Sequence, residues 1–216
     1  LPAFDTDTIR PHMPRTHTQK YQQQHHHAVC AAASVFAEKG FHGASTKDIA
    51  KRMGIKQGSL YYYFKSKEEA LSEVCLFGIE DYVHRMDDIA TSNQPFEAKL
   101  MATITSHLTS YREKNEALKV HNDERLYLPE EKRAKLKRLG SGYRQSLEGI
   151  FEEGVTSGAL RSSLDCHFAA QSVIGICNAW GDLIVRDPNL DLFDVIHKCT
   201  DLLLNGFRER RKTERN

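Results

Sequence analysis

Residues 46–67, TKDIAKRMGIKQGSLYYYFKSK, decide the fold of this chain. They divide into two short helical segments joined by Gly54, with apolar residues at the spacing that two packed helices need. Most other positions are Lys, Arg, Thr, Ser or Tyr, which are side chains that contact phosphates and base edges. This arrangement is typical of a helix-turn-helix, whose second helix lies in the major groove of DNA.

The charge distribution of the chain agrees with DNA binding. The whole sequence of 216 residues has a net charge of only +1, which argues against indiscriminate binding to nucleic acid. Within residues 46–67, one acidic residue stands among six basic residues: Lys47, Lys51, Arg52, Lys56, Lys65 and Lys67. A local basic patch on a nearly neutral protein favours recognition of a specific site.

The composition predicts a globular protein of the cytoplasm. Hydrophobic residues make up 40% of the chain, and no run approaches the ~18–20 apolar residues of a membrane span. The N-terminus lacks the charged start and apolar stretch of a signal peptide. The five cysteines include no Cys-x-x-Cys pair, which predicts buried thiols, with redox sensing as the alternative.

Helical patterns extend over most of the sequence. Residues 1–19 contain three of the six prolines and show no periodicity, so they are predicted to form a mobile arm. Residues 20–66 are predicted to be the DNA-binding domain, 67–210 a ligand-binding and dimerisation domain, and 211–216 a polar tail. No strand alternation is present. The predicted fold class is therefore all-α, with about nine helices.

Local signals set the helices of the DNA-binding stretch. Two capping-box signatures are present, Ser45 with Asp48 and Ser66 with Glu69. The first predicts a helix that ends at about Met53, and the second predicts the start of a much longer helix. Between them a third helix is predicted from Gln57 to Phe64, with Leu60 as part of its buried face.

The start of this third helix supplies the predicted base contacts. Gly58 lets the backbone approach DNA closely, Ser59 is short enough to reach base edges or phosphates, and Gln57 can pair with adenine. Tyr61 and Tyr62 lie opposite the buried face and are predicted to contact phosphates or thymine methyl groups. The remaining predicted phosphate contacts lie at or beside the starts of the flanking helices: Thr46, Lys47, Lys65 and Lys67.

From Ala28 to Leu76 the sequence resembles the TetR family of bacterial transcriptional regulators. The resemblance rests on the glycine turn, the aromatic run and the segment KSKEE at 65–69, which occur in the family's order. It implies a homodimeric repressor whose two heads bind an inverted-repeat operator in double-stranded DNA, and a small effector that releases the DNA. Tyr63 stands where many members have His, and its phenol can still donate a hydrogen bond to phosphate.

The C-terminal part resembles the branch of that family that responds to lipids. The resemblance lies in residues 121–133 and the basic helix after them, and it implies an acyl-coenzyme A effector. Arg133, Lys135, Lys137 and Arg138 would neutralise the phosphates of such a thioester, although a solvated charged face is the alternative. The resemblance places the following residues around the ligand: Tyr111, His121, Arg125, Tyr143, Phe151, Asn178 and Trp180.

The last two helices have apolar faces wider than one chain is expected to cover. We therefore predict a four-helix dimer interface with two helices from each subunit. Its predicted residues are Trp180, Ile184, Val195, Cys199 and Leu203. A closed core within a monomer is the alternative.

Two other classes of protein are alternatives to this interpretation. A helical enzyme lacks support, because the sequence contains no Gly-x-Gly-x-x-Gly, phosphate-binding loop, Gly-x-Ser-x-Gly or His-Glu-x-x-His, and no catalytic residue is predicted. A metal- or redox-sensing regulator is the second alternative. The pairs His121 with Asp123, and His197 with Cys199, offer only two ligands each, so no metal and no cofactor are expected.

Overall fold

The structure, a computed structural model, describes residues 15–205, with side chains from Gln19 onward. Within that range it contains nine α-helices and no β-strand, which confirms the all-α prediction. The helices are α1 (Arg15–Gly43), α2 (Thr46–Met53), α3 (Gln57–Leu60), α4 (Lys67–Thr91), α5 (Phe96–Glu113), α6 (Asn115–Glu124), α7 (Glu130–Thr156), α8 (Cys166–Arg186) and α9 (Leu192–Asn205). One turn of 3-10 helix, Arg125–Tyr127, follows α6. We refer to α1–α3 as the head.

The first helix begins earlier than the sequence pattern indicates. Residues 15–19, assigned above to a mobile arm, are helical in α1, whereas residues 1–14 and the tail 211–216 lie outside the described residues. The pattern misses this turn because its residues are polar and show no apolar periodicity. Near its other end α1 breaks at Gly40, whose φ of 67° and ψ of 167° are not helical.

The capping signals act as predicted at α2 and only in part at α4. Ser45 Oγ accepts from the Asp48 N–H, and the Asp48 carboxylate accepts from the Ser45 N–H, so the capping box is complete. Gly54 ends α2 in the left-handed conformation, with φ of 70°. At α4, Ser66 caps the Glu69 N–H, but the Glu69 carboxylate accepts instead from the Lys65 N–H, at 2.6 Å.

The third helix is shorter than predicted. Regular α-helix ends at Leu60, and residues 61–63 form turns in which the N–H groups of Tyr62 and Tyr63 bond three residues back, to Ser59 and Leu60. The tighter bonding pattern continues the chain in a helical direction without forming α-helix. Phe64 still reaches the buried side beside Leu60, and both are 1% exposed.

The hydrophobic interior consists of two clusters that α4 joins. The first contains the apolar residues of the head, the first half of α4, and part of α6. The second lies between the end of α4 and helices α5, α7, α8 and α9. Tyr82 and Val83, in the middle of α4, pack against both clusters. The boundary predicted after residue 66 is therefore the start of a helix but not a break in the core.

Helix α8 is the most apolar element and belongs to the second cluster. By length and composition alone it is the one helix among the described residues that could span a bilayer. Its inner side, including Val173, Cys177 and Ile184, is instead buried in the protein. The apolar length of α8 thus serves the packing against α5 and α7.

Candidate DNA-binding surface and ligand cavity

The start of α3 is a free surface. Gln57, Gly58 and Ser59 are all exposed, and Gln57 Nε2 donates to Thr46 Oγ1 at 3.0 Å, which links α3 to the start of α2. A Cβ atom added to Gly58 would meet no atom within 4 Å, and its φ is not positive. No contact with the described part of the chain therefore requires glycine at position 58, whereas close approach by a partner would.

The three consecutive tyrosines occupy two different environments. Tyr61 and Tyr62 are 53% and 62% exposed, and both rings are available to a partner. Tyr63 is half-buried, its ring is parallel to that of Tyr21 in α1, and its hydroxyl donates to Gln24 Oε1 at 3.5 Å. Tyr62 meets the Tyr21 ring edge-on at 5.4 Å, so both Tyr62 and Tyr63 also contact α1 within the head.

The basic residues of the head divide into free and paired cations. Lys47, Lys51, Lys56 and Lys65 are exposed and form no ion pair with any described residue. Arg52 is paired with Glu38 of α1 at 2.6 Å. The free lysines carry the positive charge of the surface around α2 and α3, so they supply the sequence-independent attraction to phosphates.

Lys67 has a structural role that was not predicted from the sequence. Its Nζ donates to the carbonyl oxygens of Phe41 at 2.8 Å and Ala44 at 3.1 Å, and it lies 4.2 Å from the centre of the Phe41 ring. Two of its three N–H groups therefore hold the end of α1 against the start of α4. The phosphate contact predicted for Lys67 would have to use its third N–H group.

A cavity of about 460 Å³ is lined by residues of both hydrophobic clusters. Its wall comes from α4, α5, α6, the 3-10 turn, α7 and α8. The apolar side of the cavity includes Ile79, Val83 and Ile174. The uncharged polar and titratable residues of the cavity are Tyr82, His107, His121, Asn122, Tyr143 and Asn178. A volume of this size is typical of a small-molecule site.

Four of the seven residues predicted around a ligand do line this cavity: His121, Arg125, Tyr143 and Asn178. Tyr111 lies behind the wall and is hydrogen-bonded to it. Phe151 packs against Phe96 in the second cluster, and Trp180 packs at the side of that cluster, so neither lines this cavity and their contact with a ligand stays a prediction.

A continuous hydrogen-bonded network runs along the polar wall. Asn122 Nδ2 donates to the Tyr111 hydroxyl at 3.2 Å, which donates to Asn178 Oδ1 at 3.1 Å. The same oxygen accepts from His107 Nε2 at 3.1 Å, and His107 Nδ1 accepts from the Tyr143 hydroxyl at 3.0 Å. This assignment fixes the tautomer of His107, because Asn178 presents only an acceptor there.

Aromatic stacking holds the network in place. The His107 ring lies between those of Tyr82 and Tyr111, with centroid distances of 4.5 and 5.9 Å and interplanar angles of 16° and 9°. Tyr111 fits because residue 181 of α8 is glycine, and a Cβ atom there would overlap the tyrosine ring. Tyr82, His107 and Asn122 are not in the predicted ligand set.

Burial lowers the pKa of His107 to about 4, so the imidazole is neutral in the folded protein at pH 7. The unfolded chain binds a proton below about pH 6.5, and the folded chain does so only near pH 4. The free energy of unfolding should therefore fall as pH drops from about 6.5 to about 4, by about 3 kcal/mol from His107 alone. Urea titrations at pH 7 and 5 measure about 2 kcal/mol of this loss, and His107→Gln should remove that share, leaving the contribution of His121, whose pKa burial also lowers to about 4. An equal pH dependence in the variant would contradict it.

The rim of the cavity carries part of the predicted basic set. Arg133 and Lys137 line the cavity, one helical turn apart on α7. Arg133 Nη1 donates to the Leu126 carbonyl at 3.2 Å and its other terminal nitrogen pairs with Glu130. Lys137 is exposed and forms no ion pair with any described residue. Lys135 and Arg138 do not line this cavity.

The wall formed by α6 and the 3-10 turn also touches the head. Glu124, at the end of α6, accepts a hydrogen bond from the Phe41 N–H at 3.0 Å, at the break in α1. The Tyr127 ring stacks on Phe41 with an interplanar angle of 13° and meets the His42 ring edge-on at 4.4 Å. We call these contacts the head joint. They link the end of α6 and the 3-10 turn to α1, beside the packing of α4 and α6 on the same helix.

The predicted dimer residues need correction. Ile184, Val195 and Cys199 are buried within a single chain, because α5 packs against both α8 and α9 and covers them. Trp180 and Leu203 are half-buried against the same cluster. The exposed side of α8 carries Phe168, Gly175, Ala179 and Leu183, and that of α9 carries Phe193 and Leu204.

The cysteines are placed as packed thiols. Cys75, Cys177 and Cys199 are buried, and Cys30 and Cys166 are half-buried. Burial raises the pKa of all five, for Cys75 to about 12, so each thiol is protonated near neutral pH. A protonated thiol is a poor nucleophile, which disfavours redox sensing. Among residues 19–205 no three His, Cys, Asp or Glu side chains form a group that could hold a metal.

An exposed helix-turn-helix on one side and a ligand-sized cavity on the other define a one-component regulator, in which one chain both binds DNA and senses a small molecule. Two family models match the sequence: residues 29–74 match "Bacterial regulatory proteins, tetR family", and residues 93–207 match "Tetracyclin repressor-like, C-terminal domain". The second match alone covers more than half of the chain. The chain therefore belongs to the TetR family of transcriptional regulators.

Individual relatives agree with this assignment. The fatty acid metabolism regulator protein of Bacillus subtilis is 28% identical over 195 residues, which cover 88% of this chain and 97% of that protein. The transcriptional repressor KstR2 of Rhodococcus jostii is 32% identical over 139 residues, which cover 64% of this chain and 68% of the repressor.

Solved structures of regulators have the same fold. PfmR from Thermus thermophilus superposes with a TM-score of 0.78 at 25% identity, covering 84% of this chain and 99% of its own. FadR from Bacillus subtilis, solved in complex with stearoyl-CoA, superposes with a TM-score of 0.70 at 28% identity, covering 87% of this chain and all of its own.

Proposed function

We propose that this protein is a dimeric cytoplasmic repressor that binds an inverted-repeat operator and is released from it by an acyl-coenzyme A thioester bound in the cavity. The observation that carries this proposal is the head joint. Because His121, Asn122 and Arg125 line the cavity and Glu124 and Tyr127 contact the head, a ligand that displaces this segment also displaces the head. Differential contact of this kind is what a ligand needs in order to shift a conformational equilibrium.

The shape and charge of the cavity support a thioester as the effector. Its apolar side suits an acyl group, and its rim at α7 offers the unpaired Lys137 to the phosphates of coenzyme A. Arg133, on the same rim, is paired with Glu130 and would have to exchange that partner to contribute. Relatives that regulate fatty acid metabolism, including one solved with stearoyl-CoA, share the fold over most of the chain. A ketosteroid-related thioester is the second candidate, since KstR2 is also a relative.

The effector is tested with DNA that the protein itself selects. An operator is first isolated from a random duplex library, labelled, and bound to the purified protein. Palmitoyl-CoA or stearoyl-CoA should then lower the fluorescence anisotropy of the complex, whereas free coenzyme A and free palmitate should not. The acyl-CoA proposal is wrong if the thioesters leave the operator bound.

Two variants on α7 form a matched pair that tests the basic rim of the cavity. Lys137→Ala removes an exposed cation that lines the cavity, and Arg138→Ala removes an exposed neighbour that does not. Only the first should raise the thioester concentration needed for release.

On the DNA side, Tyr62→Ala should weaken operator binding by about tenfold. It should lower thermal stability only slightly, because the ring is mostly exposed and makes edge-on contacts with Tyr21 and Tyr63. Titrations at several salt concentrations measure both affinity and phosphate contacts. Met101→Ala, at an exposed apolar position on α5 away from α3, serves as the control for operator affinity without effector. An unchanged affinity for Tyr62→Ala would remove this residue from the contact surface. Lys67→Ala is a poor test, since the loss of its two carbonyl contacts would perturb the head.

We propose that the dimer forms through the exposed sides of α8 and α9. Leu183 is 45% exposed beside the small residues Gly175 and Ala179, which allow close approach of a second helix. Leu183→Glu should convert the dimer to a monomer and abolish operator binding, as measured by size-exclusion chromatography with light scattering. Met101→Glu, at a comparably exposed apolar position on α5, should remain dimeric. A dimeric Leu183→Glu would place the interface elsewhere.

A further inference from the structure

Two hydrogen-bond donors in the cavity have no partner within residues 19–205. Asn178 uses its Oδ1 twice, for Tyr111 and His107, so the orientation of its amide is fixed and its Nδ2 points away from both. No described residue accepts from that Nδ2. The hydroxyl of Tyr82 likewise makes no hydrogen bond with the described part of the chain, although its ring is stacked on His107 at 4.5 Å.

Both donors face the same space. Tyr82 and Asn178 line the cavity, and each contacts His107 from a different side, Tyr82 by stacking and Asn178 by a hydrogen bond. Neither side chain is fully buried: Tyr82 is half-buried and Asn178 is exposed. The donors are therefore accessible in the empty cavity and would be covered when a ligand fills it.

A saturated hydrocarbon chain is a poor match for this wall. It would remove the N–H and O–H groups from water without offering an acceptor, and an unsatisfied buried donor weakens binding. A site built to hydrogen-bond a substrate rejects the analogue that lacks the partner atom. The surrounding Ile79, Val83 and Ile174 still require that most of the ligand be apolar.

We propose that the acyl group of the effector carries an oxygen function, a keto or hydroxyl oxygen, which accepts hydrogen bonds from Tyr82 and Asn178. This rests on the proposed function for the location of the ligand, and it narrows the ligand class from plain fatty acyl to oxygenated acyl thioesters. The network behind the donors keeps them in place. Tyr111 and His107 both engage Asn178 Oδ1, so the amide nitrogen is turned away from them.

The test compares matched ligands by isothermal titration calorimetry with the full chain. The probes are dodecanoyl-CoA, a positional series of oxododecanoyl-CoA thioesters, and the corresponding free oxododecanoic acids. At least one oxo position should bind about tenfold or more tightly than dodecanoyl-CoA. The oxo position with the largest gain in affinity shows how far along the acyl chain the two donors lie.

Two variants assign any gain to these residues. Tyr82→Phe removes only the hydroxyl and keeps the stacked ring. Asn178→Asp keeps the oxygen that accepts from His107 and Tyr111 but replaces the donor with a second acceptor. Each should reduce the preference for the oxo ligand over dodecanoyl-CoA, taken as the ratio of the two affinities within the same variant, to about threefold or less. Tyr21→Phe, which removes a hydroxyl in the head, should keep the full preference.

The outcomes separate this proposal from the proposed function. If thioesters bind but no oxo position exceeds the parent, the oxygen site is wrong and the acyl-CoA effector stands. If only the free oxo acids bind, and bind more tightly than dodecanoic acid, the acyl-CoA effector is wrong and the oxygen site stands. An equal loss of oxo and parent ligands in both variants would show a packing role and overturn the oxygen site. No binding by any probe overturns both proposals.

Discussion

Gly58→Asp should lower operator affinity by about 100-fold or more while the protein remains folded and dimeric. The substitution places a carboxylate on the exposed start of α3, where the proposed DNA surface meets phosphates, and like charges in contact cost several kcal/mol. The protein itself has room for the side chain, because a Cβ atom at this position meets nothing within 4 Å.

The same position should separate DNA affinity from stability. Gly58→Ala is expected to raise the free energy of unfolding by about 0.5–1 kcal/mol, because alanine is the better helix former, and still to weaken DNA binding. Fluorescence anisotropy and thermal melting measure the two quantities independently.

Gly142→Asp is the matched control for charge, since residue 142 is an exposed helical glycine on α7 with equal free space. It should bind the operator normally. An affinity of Gly58→Asp within about threefold of the parent would show that α3 does not approach DNA as proposed.

Glu124→Ala should uncouple the effector from DNA release. The variant loses the acceptor for the Phe41 N–H but no residue of the cavity wall, so the thioester should bind with nearly unchanged Kd. Coupling between two sites typically changes affinity by about 5–150-fold. We expect the factor by which saturating thioester weakens operator binding to fall by about tenfold.

Reciprocity provides a second measurement of the same coupling. The operator must change thioester affinity by the factor with which the thioester changes operator affinity. Both factors should therefore fall together in Glu124→Ala, and Glu124→Gln, which keeps an acceptor oxygen, should lie between the variant and the parent. Full release of Glu124→Ala from DNA at the parental thioester concentration would mean that the signal travels by another route.

The sequence predicted the head more accurately than the cavity because the head is built from local signals. Ser45, Asp48 and Gly54 act within a few residues of one another, and they set the bounds of α2 as the structure has them. The end of α3 escaped prediction since the run 61–63 keeps a helical direction while its hydrogen bonds tighten.

The cavity depends on residues that are distant in sequence. His107 is hydrogen-bonded to Tyr143 and Asn178, which lie 36 and 71 positions away in the sequence. No periodic pattern in the sequence indicates such distant contacts. In the sequence, Tyr82 is one of several apolar and aromatic residues at helical spacing in α4, such as Ile79 and Val83, and nothing distinguishes it from them. The dimer prediction included three residues that are buried within one chain, Ile184, Val195 and Cys199, for a related reason: α5 packs against α8 and α9, and the sequence does not reveal that packing.

The shared core of α4 has a consequence for engineering. Since Tyr82 and Val83 pack into both hydrophobic clusters, and α6 packs against α1, the DNA-reading part is not a detachable module. A chimera that exchanges only residues 20–66 between two regulators would place a foreign surface against α4 and α6. A transplant that retargets this sensor to another operator must therefore carry the facing residues of those two helices, or confine itself to the exposed positions of α2, α3 and the tyrosine run.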